Sequence, residues 1–306
     1  MSRRDDKPSR PAAEAKGTLK LVGHKGNPSE LDRITHPAQW QRSHVPMIAI
    51  ASGKGGVGKS NLAANLAVAL GESGARVLLV DADFAQANLD LLLGVHPRWD
   101  LQHVLSGEKQ PEDIVLTAAK NVKLVPASSG VPDLAELDDY RREFLLRGLS
   151  QLEADVDLVL LDLASGVSNT VTSLCHAAHE VIVVTTPELP AFSDAYALIK
   201  LLHQQGRTRP PHLVVSMTSP EDEADETAHR IRLVARRFLQ QEIEYLGSVP
   251  FDPAVTRAVR RQEPVVTAFP QSPAAAAYRG LAGRLWVAPD PDPKFRTPHA
   301  PQRLEA

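Results

Sequence analysis

The octet Gly53-Lys54-Gly55-Gly56-Val57-Gly58-Lys59-Ser60 has the spacing G-x-x-x-x-G-K-S/T of a phosphate-binding loop, with the apolar run Met47 to Ala51 before it and a helical pattern after it. Each residue type has a chemical reason to be there. Glycines let backbone N–H groups close around phosphate oxygens at a helix N-terminus, where the helix dipole favours negative charge. The motif gives Lys59 the reach to the β- and γ-phosphates and makes Ser60 a ligand for Mg2+. A glycine-rich turn with an incidental lysine needs neither the strand nor the helix, so the flanks favour nucleotide binding.

Lys54 makes the loop K-G-G-V-G-K-S, which resembles the deviant Walker A loop of the MinD/ParA family of ATPases. Asp81-Ala82-Asp83-Phe84-Ala85-Gln86-Ala87-Asn88-Leu89-Asp90 resembles the D-x-D…N-L-D switch I segment of the MinD branch, and Leu161-Asp162-Leu163-Ala164-Ser165-Gly166 its Walker B and switch II stretch. Thr185-Thr186-Pro187-Glu188, with Ser193 to Lys200, is similar to a stretch of MinD and especially of the FlhG branch, whose members set flagellar number and placement. The resemblance spans about Val45 to Leu285.

That resemblance implies a weak Mg2+-dependent ATPase that dimerises on ATP, with Lys54, Asp83 and Asn88 as its catalytic residues. Lys54 would cross the dimer interface to the partner's nucleotide, a role comparable to an arginine finger supplied in trans. Asp83 would orient the attacking water. Asp162, at a strand end, suits Mg2+ held through water, because Mg2+ takes oxygen ligands and keeps several waters. Gly53, Gly55, Gly56, Val57, Gly58, Lys59, Ser60 and Asn61 would surround the phosphates, and Ser216, Pro250 and Asp252 the base. Many relatives carry Asn where this chain has Ser216, so a bidentate amide is replaced by one hydroxyl. The function implied is control of the number or position of a cell-surface machine, flagella first. The implied partners are a second copy of the chain and a protein such as a flagellar regulator or GTPase.

Two alternatives stand beside it. A ParA-type DNA or cargo segregation ATPase is disfavoured by Ser60-Asn61 in place of Thr-Thr and by Asp83-Phe84-Ala85 in place of D-P-Q. A nucleotide-gated scaffold with negligible hydrolysis would work through partner contact alone. The D-Q-A-x-x-L-R element with which FlhG relatives act on a partner GTPase does not occur before Lys54.

Charge and cysteine usage narrow the classes. Lys+Arg 34 against Asp+Glu 37 gives a net charge of −3, so no global basic field draws nucleic acid or anionic lipid. The single cysteine, Cys175, can form neither an intrachain disulfide nor a Cys-rich metal site, which suits a reducing compartment. The charged start lacks an apolar signal-peptide core, and a cytoplasmic location is expected. Cys175, His176 and His179 are too few ligands for a metal, and Arg236-Arg237 and Arg260-Arg261 read as solvated faces ahead of a DNA or lipid patch.

The elements that must position these residues alternate along the chain. Short apolar runs at Met47 to Ala51, Arg76 to Val80, Val122 to Pro126, Asp157 to Leu163, Val181 to Thr186, His212 to Met217 and Tyr245 to Val249 are predicted strands. Helices are predicted over Ser60 to Leu70, Arg141 to Leu152, Ser168 to His179, Ser193 to His203, Asp225 to Leu239 and Pro273 to Leu285, with Gly71, Gly74 and Gly206 as stops. This alternation predicts an α/β fold, a single doubly wound, mostly parallel sheet with helices on both faces. Residues 1–45, with nine Lys/Arg against five Asp/Glu, form a flexible basic arm in this reading. Residues 46–287 form the P-loop ATPase domain, and 288–306 a Pro-rich tail. That tail cannot extend a helix after Trp286, so membrane contact is expected to be weak or borrowed from a partner.

Overall fold

The computed structural model describes residues 18–19, 45–130, 137–219 and 221–287. In chain order the first elements are β1 (Thr18–Leu19), β2 (Met47–Ser52), α1 (Lys59–Glu72), β3 (Val77–Ala82), α2 (Leu89–Leu93), α3 (Leu101–Leu105), β4 (Leu116–Ala119) and β5 (Val122–Val125). Then follow α4 (Asp139–Gln151), β6 (Leu158–Ser165), α5 (Asn169–Ala177), β7 (Glu180–Thr185), α6 (Leu189–Gln204), β8 (His212–Thr218) and α7 (Glu221–Leu239). The chain closes with β9 (Glu244–Pro250), α8 (Pro253–Arg260), α9 (Val265–Ala268), α10 (Pro273–Leu285) and β10 (Trp286–Val287).

Eight strands form one sheet in the order β4-β5-β3-β6-β2-β7-β8-β9, and all neighbours run parallel except β4 against β5. Its inner strands are buried on both faces, and the pleat sorts their side chains. Ile48, Ile50, Val77 and Leu79 enter the core beneath α1, α2 and α8 to α10, whereas Met47, Ala49, Leu78 and Val80 enter the core beneath α3 to α7. That two-sided burial is why these strands read as continuous apolar runs.

All seven predicted strands are present, and so are the six predicted helices, with ends shifted by up to four residues. β4 was not predicted, because a four-residue, half-exposed edge strand carries no apolar run. Helices α2, α3, α8 and α9 were missed for the same reason, each having only four to eight residues. Gly71 is not a stop, since it lies inside α1. A Cβ there would come within 2.5 Å of the Lys120 carbonyl, and Asn121 Nδ2 donates to the Gly71 carbonyl at 3.0 Å, so glycine serves the close approach of the β4–β5 turn. Within the arm, Thr18 and Leu19 pair antiparallel with Val287 and Trp286. The rest of the predicted arm up to residue 44, and the predicted tail, lie outside the described residues.

Candidate active site

The conserved direction of a parallel sheet brings the carboxyl ends of β2, β3, β6, β7 and β8 to one edge, and β2 sits where the strand order reverses. Such a switch point opens a crevice for ligands. The loop 53–58 leaves β2 there and ends at Gly58, which has φ 87° as the residue before α1, a left-handed backbone that favours glycine. At Gly53 a Cβ would collide with the Asp194 carbonyl, so the loop lies directly on α6.

Lys59 begins α1 and is 7% exposed. Its Nζ donates to Asp162 Oδ1 at 2.9 Å and lies 3.9 Å from Asp83 Oδ2. Burial pushes the Asp162 carboxyl above the ordinary carboxylate range, while the Lys59 cation and the Ser60 hydroxyl pull against that shift. Asp162 Oδ2 and Asn88 Oδ1 are buried without a hydrogen-bond partner among the described residues. Orphaned acceptors beside a hydroxyl fit an oxygen-loving cation with its waters, so Ser60 and Asp162 suit Mg2+.

Asp81 has a role that the sequence motifs do not announce. Its Oδ1 accepts from Asp83 N at 3.2 Å, and its Oδ2 from Asn88 N at 2.9 Å and Leu89 N at 3.0 Å. Asp81 thereby fixes the loop that presents Asp83 and Asn88. Burial, then the nearby Asp162 charge, raises its pKa to about 7. Glu188 was also left without a role, yet its Oε2 accepts from Lys54 Nζ at 2.8 Å. The signal for Asp81 was its place at the end of a strand, two residues before Asp83. For Glu188 there was none, because its partner lies 134 residues away.

The residues expected around the base, Ser216, Pro250 and Asp252, lie at or just after strand ends. A register shift between Ser216 and Thr218 accompanies φ 56° at Met217, a left-handed backbone rare for a non-glycine residue. It places Ser216 Oγ 3.1 Å and Met217 Cε 3.4 Å from where a Cβ on Gly58 would be. Ser216 thus sits against the phosphate loop. Pro250 ends β9, and the Phe251 amide donates to Thr218 O at 2.8 Å. Asp252 spends one oxygen on Ala254 N at 2.8 Å and the other on Ala274 N at 3.1 Å, capping α8 and tying down α10. Its carboxylate therefore shapes this loop and leaves less to offer a base. Asn61 continues α1, its carbonyl accepting from Asn65 Nδ2 at 2.8 Å. Val57 is buried, while Gly55 and Gly56 are exposed at the loop tip.

The three side chains weighed as metal ligands diverge. Cys175 is buried, which pushes its thiol up to about 12. His176 Nε2 lies 3.2 Å from Gln205 Oε1, and His179 Nδ1 accepts from Met47 N at 3.0 Å.

A parallel sheet, a glycine loop opening a helix, and a lysine set between two strand-end carboxylates define a P-loop NTPase. A ParA family profile, described as NUBPL iron-transfer P-loop NTPase, matches residues 44–286. The antiactivator FleN of Pseudomonas aeruginosa is 38% identical over 248 residues, covering 80% of this chain and 88% of its own. The flagellum site-determining protein YlxH of Helicobacter pylori is 30% identical over 245 residues, covering 80% and 83%. Among solved structures, the septum site-determining protein MinD of Pyrococcus horikoshii, complexed with Mg-ADP, superposes with a TM-score of 0.66 at 29% identity over 78% of this chain and 94% of its own. The chain belongs to the ParA/MinD family of P-loop ATPases. Iron transfer does not follow from the profile's description, since a single buried cysteine cannot hold a cluster.

Proposed function

We propose that this protein is an ATP-dependent, dimerising regulatory ATPase of the FlhG type that sets the number or position of a cell-surface machine, the flagellum first. The observation that carries the chemistry is the Lys59 ammonium held between Asp162 and Asp83, a cation pre-positioned at the crevice and neutralised until phosphate arrives. The flagellar assignment is supported by the likeness to FleN and YlxH.

In this reading ATP with Mg2+ binds the loop 53–60, and Mg2+ supplies neutralising charge to the phosphates when bound. Lys59 exchanges its carboxylate partners for phosphate oxygens. Asp162 and Ser60 would hold the cation. Asp83, anchored by its Oδ1 to Gln86 N at 3.0 Å, orients the attacking water with its other oxygen. Lys54 leaves Glu188 and completes the site of a second copy. Turnover is slow alone and rises with dimerisation or a partner. No helix among the described residues is long and apolar enough to cross a membrane, and recruitment to a membrane or pole falls to a protein partner.

Isothermal titration with ATP and with ATP plus Mg2+ tests the nucleotide site. Deletion of the gene, followed by counting and placing flagella in electron micrographs, tests the biological role, and unchanged flagella would exclude it.

A further inference from the structure

Outside the nucleotide site lies a cluster of arginines of which one, Arg257, interacts with a carboxylate, that of Asp252. Arg257, Arg260 and Arg261 are all exposed on and just after α8. The guanidiniums of Arg257 and Arg261 lie 4.7 Å and 4.8 Å from the centre of one ring, that of half-buried Phe269. Stacking on an aromatic face offsets part of the repulsion between two like charges a helical turn apart. A position in the last turn of a helix also favours Arg257 and Arg260. Neither effect supplies a counter-ion, and Arg260 and Arg261 have no ion pair within 4 Å among the described residues. Arg230, Arg236 and Arg279 by contrast are paired, with Glu226, Glu242 and Glu72.

The cluster also lies beside α2, the helix that follows the 83–88 loop. Gln262, with φ 55°, follows Arg261, and its carbonyl packs so closely on Gly94 that a Cβ there would come within 2.6 Å. Gly94 terminates α2, whose first residue, Leu89, is held by Asp81 together with Asn88. The path from the arginines to the Asp81 clamp is thus one backbone contact and one five-residue helix.

We propose that the Arg257–Arg260–Arg261 surface docks an acidic segment of a protein partner, and that docking bears on the 83–88 loop through Gln262, Gly94 and α2. Paired carboxylates match guanidinium forks with bidentate geometry. A lipid surface fits less well, because guanidiniums lie over the Phe269 ring and keep it from inserting. DNA fits less well too, because the net charge is −3 and three arginines on one helix end neutralise few phosphates. The effect on the loop rests on the proposed ATPase reading, whereas docking does not, so binding is measured without nucleotide.

The probe is a short fluorescein-labelled Glu/Ala peptide, followed by anisotropy at low salt with the full chain. Phosphatidylglycerol vesicles and duplex DNA are the comparison ligands. Arg260→Glu/Arg261→Glu is expected to weaken peptide binding about tenfold or more. Arg236→Glu/Arg237→Glu, which changes net charge equally, is expected to leave it within about twofold. Bound peptide is expected to slow amide exchange over residues 84–94. Equal loss in both double variants, or tighter capture of vesicles or DNA through the same arginines, would overturn the docking assignment. Peptide binding with unaltered exchange over 84–94 would overturn the link to the loop.

Discussion

Lys54 Nζ lies 2.8 Å from Glu188 Oε2, so the lysine that family resemblance sends across a dimer interface is held by its own chain. Dimerisation in the proposed mechanism must break this pair. The partners are 37% and 66% exposed, and an ion pair in such a setting contributes about 0.2–1 kcal/mol. Glu188→Gln is therefore expected to tighten ATP-driven dimerisation by at most about fivefold. Sedimentation velocity across a protein dilution series measures this, and a shift of a hundredfold would mean the pair is a far stronger latch than its exposure allows.

Lys59→Ala is expected to abolish nucleotide binding and also to weaken the empty fold. Removing one partner of a buried ion pair costs about 3–5 kcal/mol, because Asp162 is left charged and unpaired. The loss should shrink as pH falls, since protonating the carboxyl removes the unpaired charge. Thermal denaturation at neutral and mildly acidic pH checks both statements.

Asp81 makes the nucleotide-free protein sensitive to pH. Folding raises its pKa from the ordinary 3.8 to about 7, so the folded state binds this proton more tightly than the unfolded chain. Its contribution is fully present below pH 3.8 and is lost as pH rises through about 7, amounting to at most ~4 kcal/mol. In Asp81→Asn this part of the pH dependence should vanish, and the 83–88 loop should loosen because an amide nitrogen cannot accept from backbone N–H. Unfolding midpoints from pH 4 to 8, with and without Mg2+, give the comparison.

Much of this was legible in the chain, and the residues show why. The inner strands betray themselves because burial on both faces leaves only apolar side chains from Met47 to Ala51 and from Leu158 to Leu161. The phosphate loop is legible because its chemistry is local, eight residues in a row. What stayed hidden depends on distant partners. Gly71 looked like a helix stop because the Lys120 carbonyl that requires it is 49 positions on. The tie from Asp252 to Ala274 N spans 22 residues and leaves no mark in the sequence. The edge strand β4 packs too little apolar surface to leave a pattern.

Asp83→Ala separates water orientation from binding. The variant is expected to bind ATP within a few-fold of the wild type, lose turnover by a hundredfold or so, and accumulate as the ATP-bound dimer. Single-turnover hydrolysis alongside equilibrium binding distinguishes this from collapse of nucleotide affinity, which would make Asp83 a structural or metal-holding residue.

The dependence of assembly on Lys54 is tested most directly by light scattering coupled to size exclusion, with Mg2+ and a slowly hydrolysed ATP analogue. The wild type should pass from monomer to dimer, while Lys54→Ala should bind the analogue yet elute as a monomer and fail to hydrolyse ATP. A Lys54→Ala protein that dimerises and turns over ATP like the wild type would contradict the proposed mechanism at its centre.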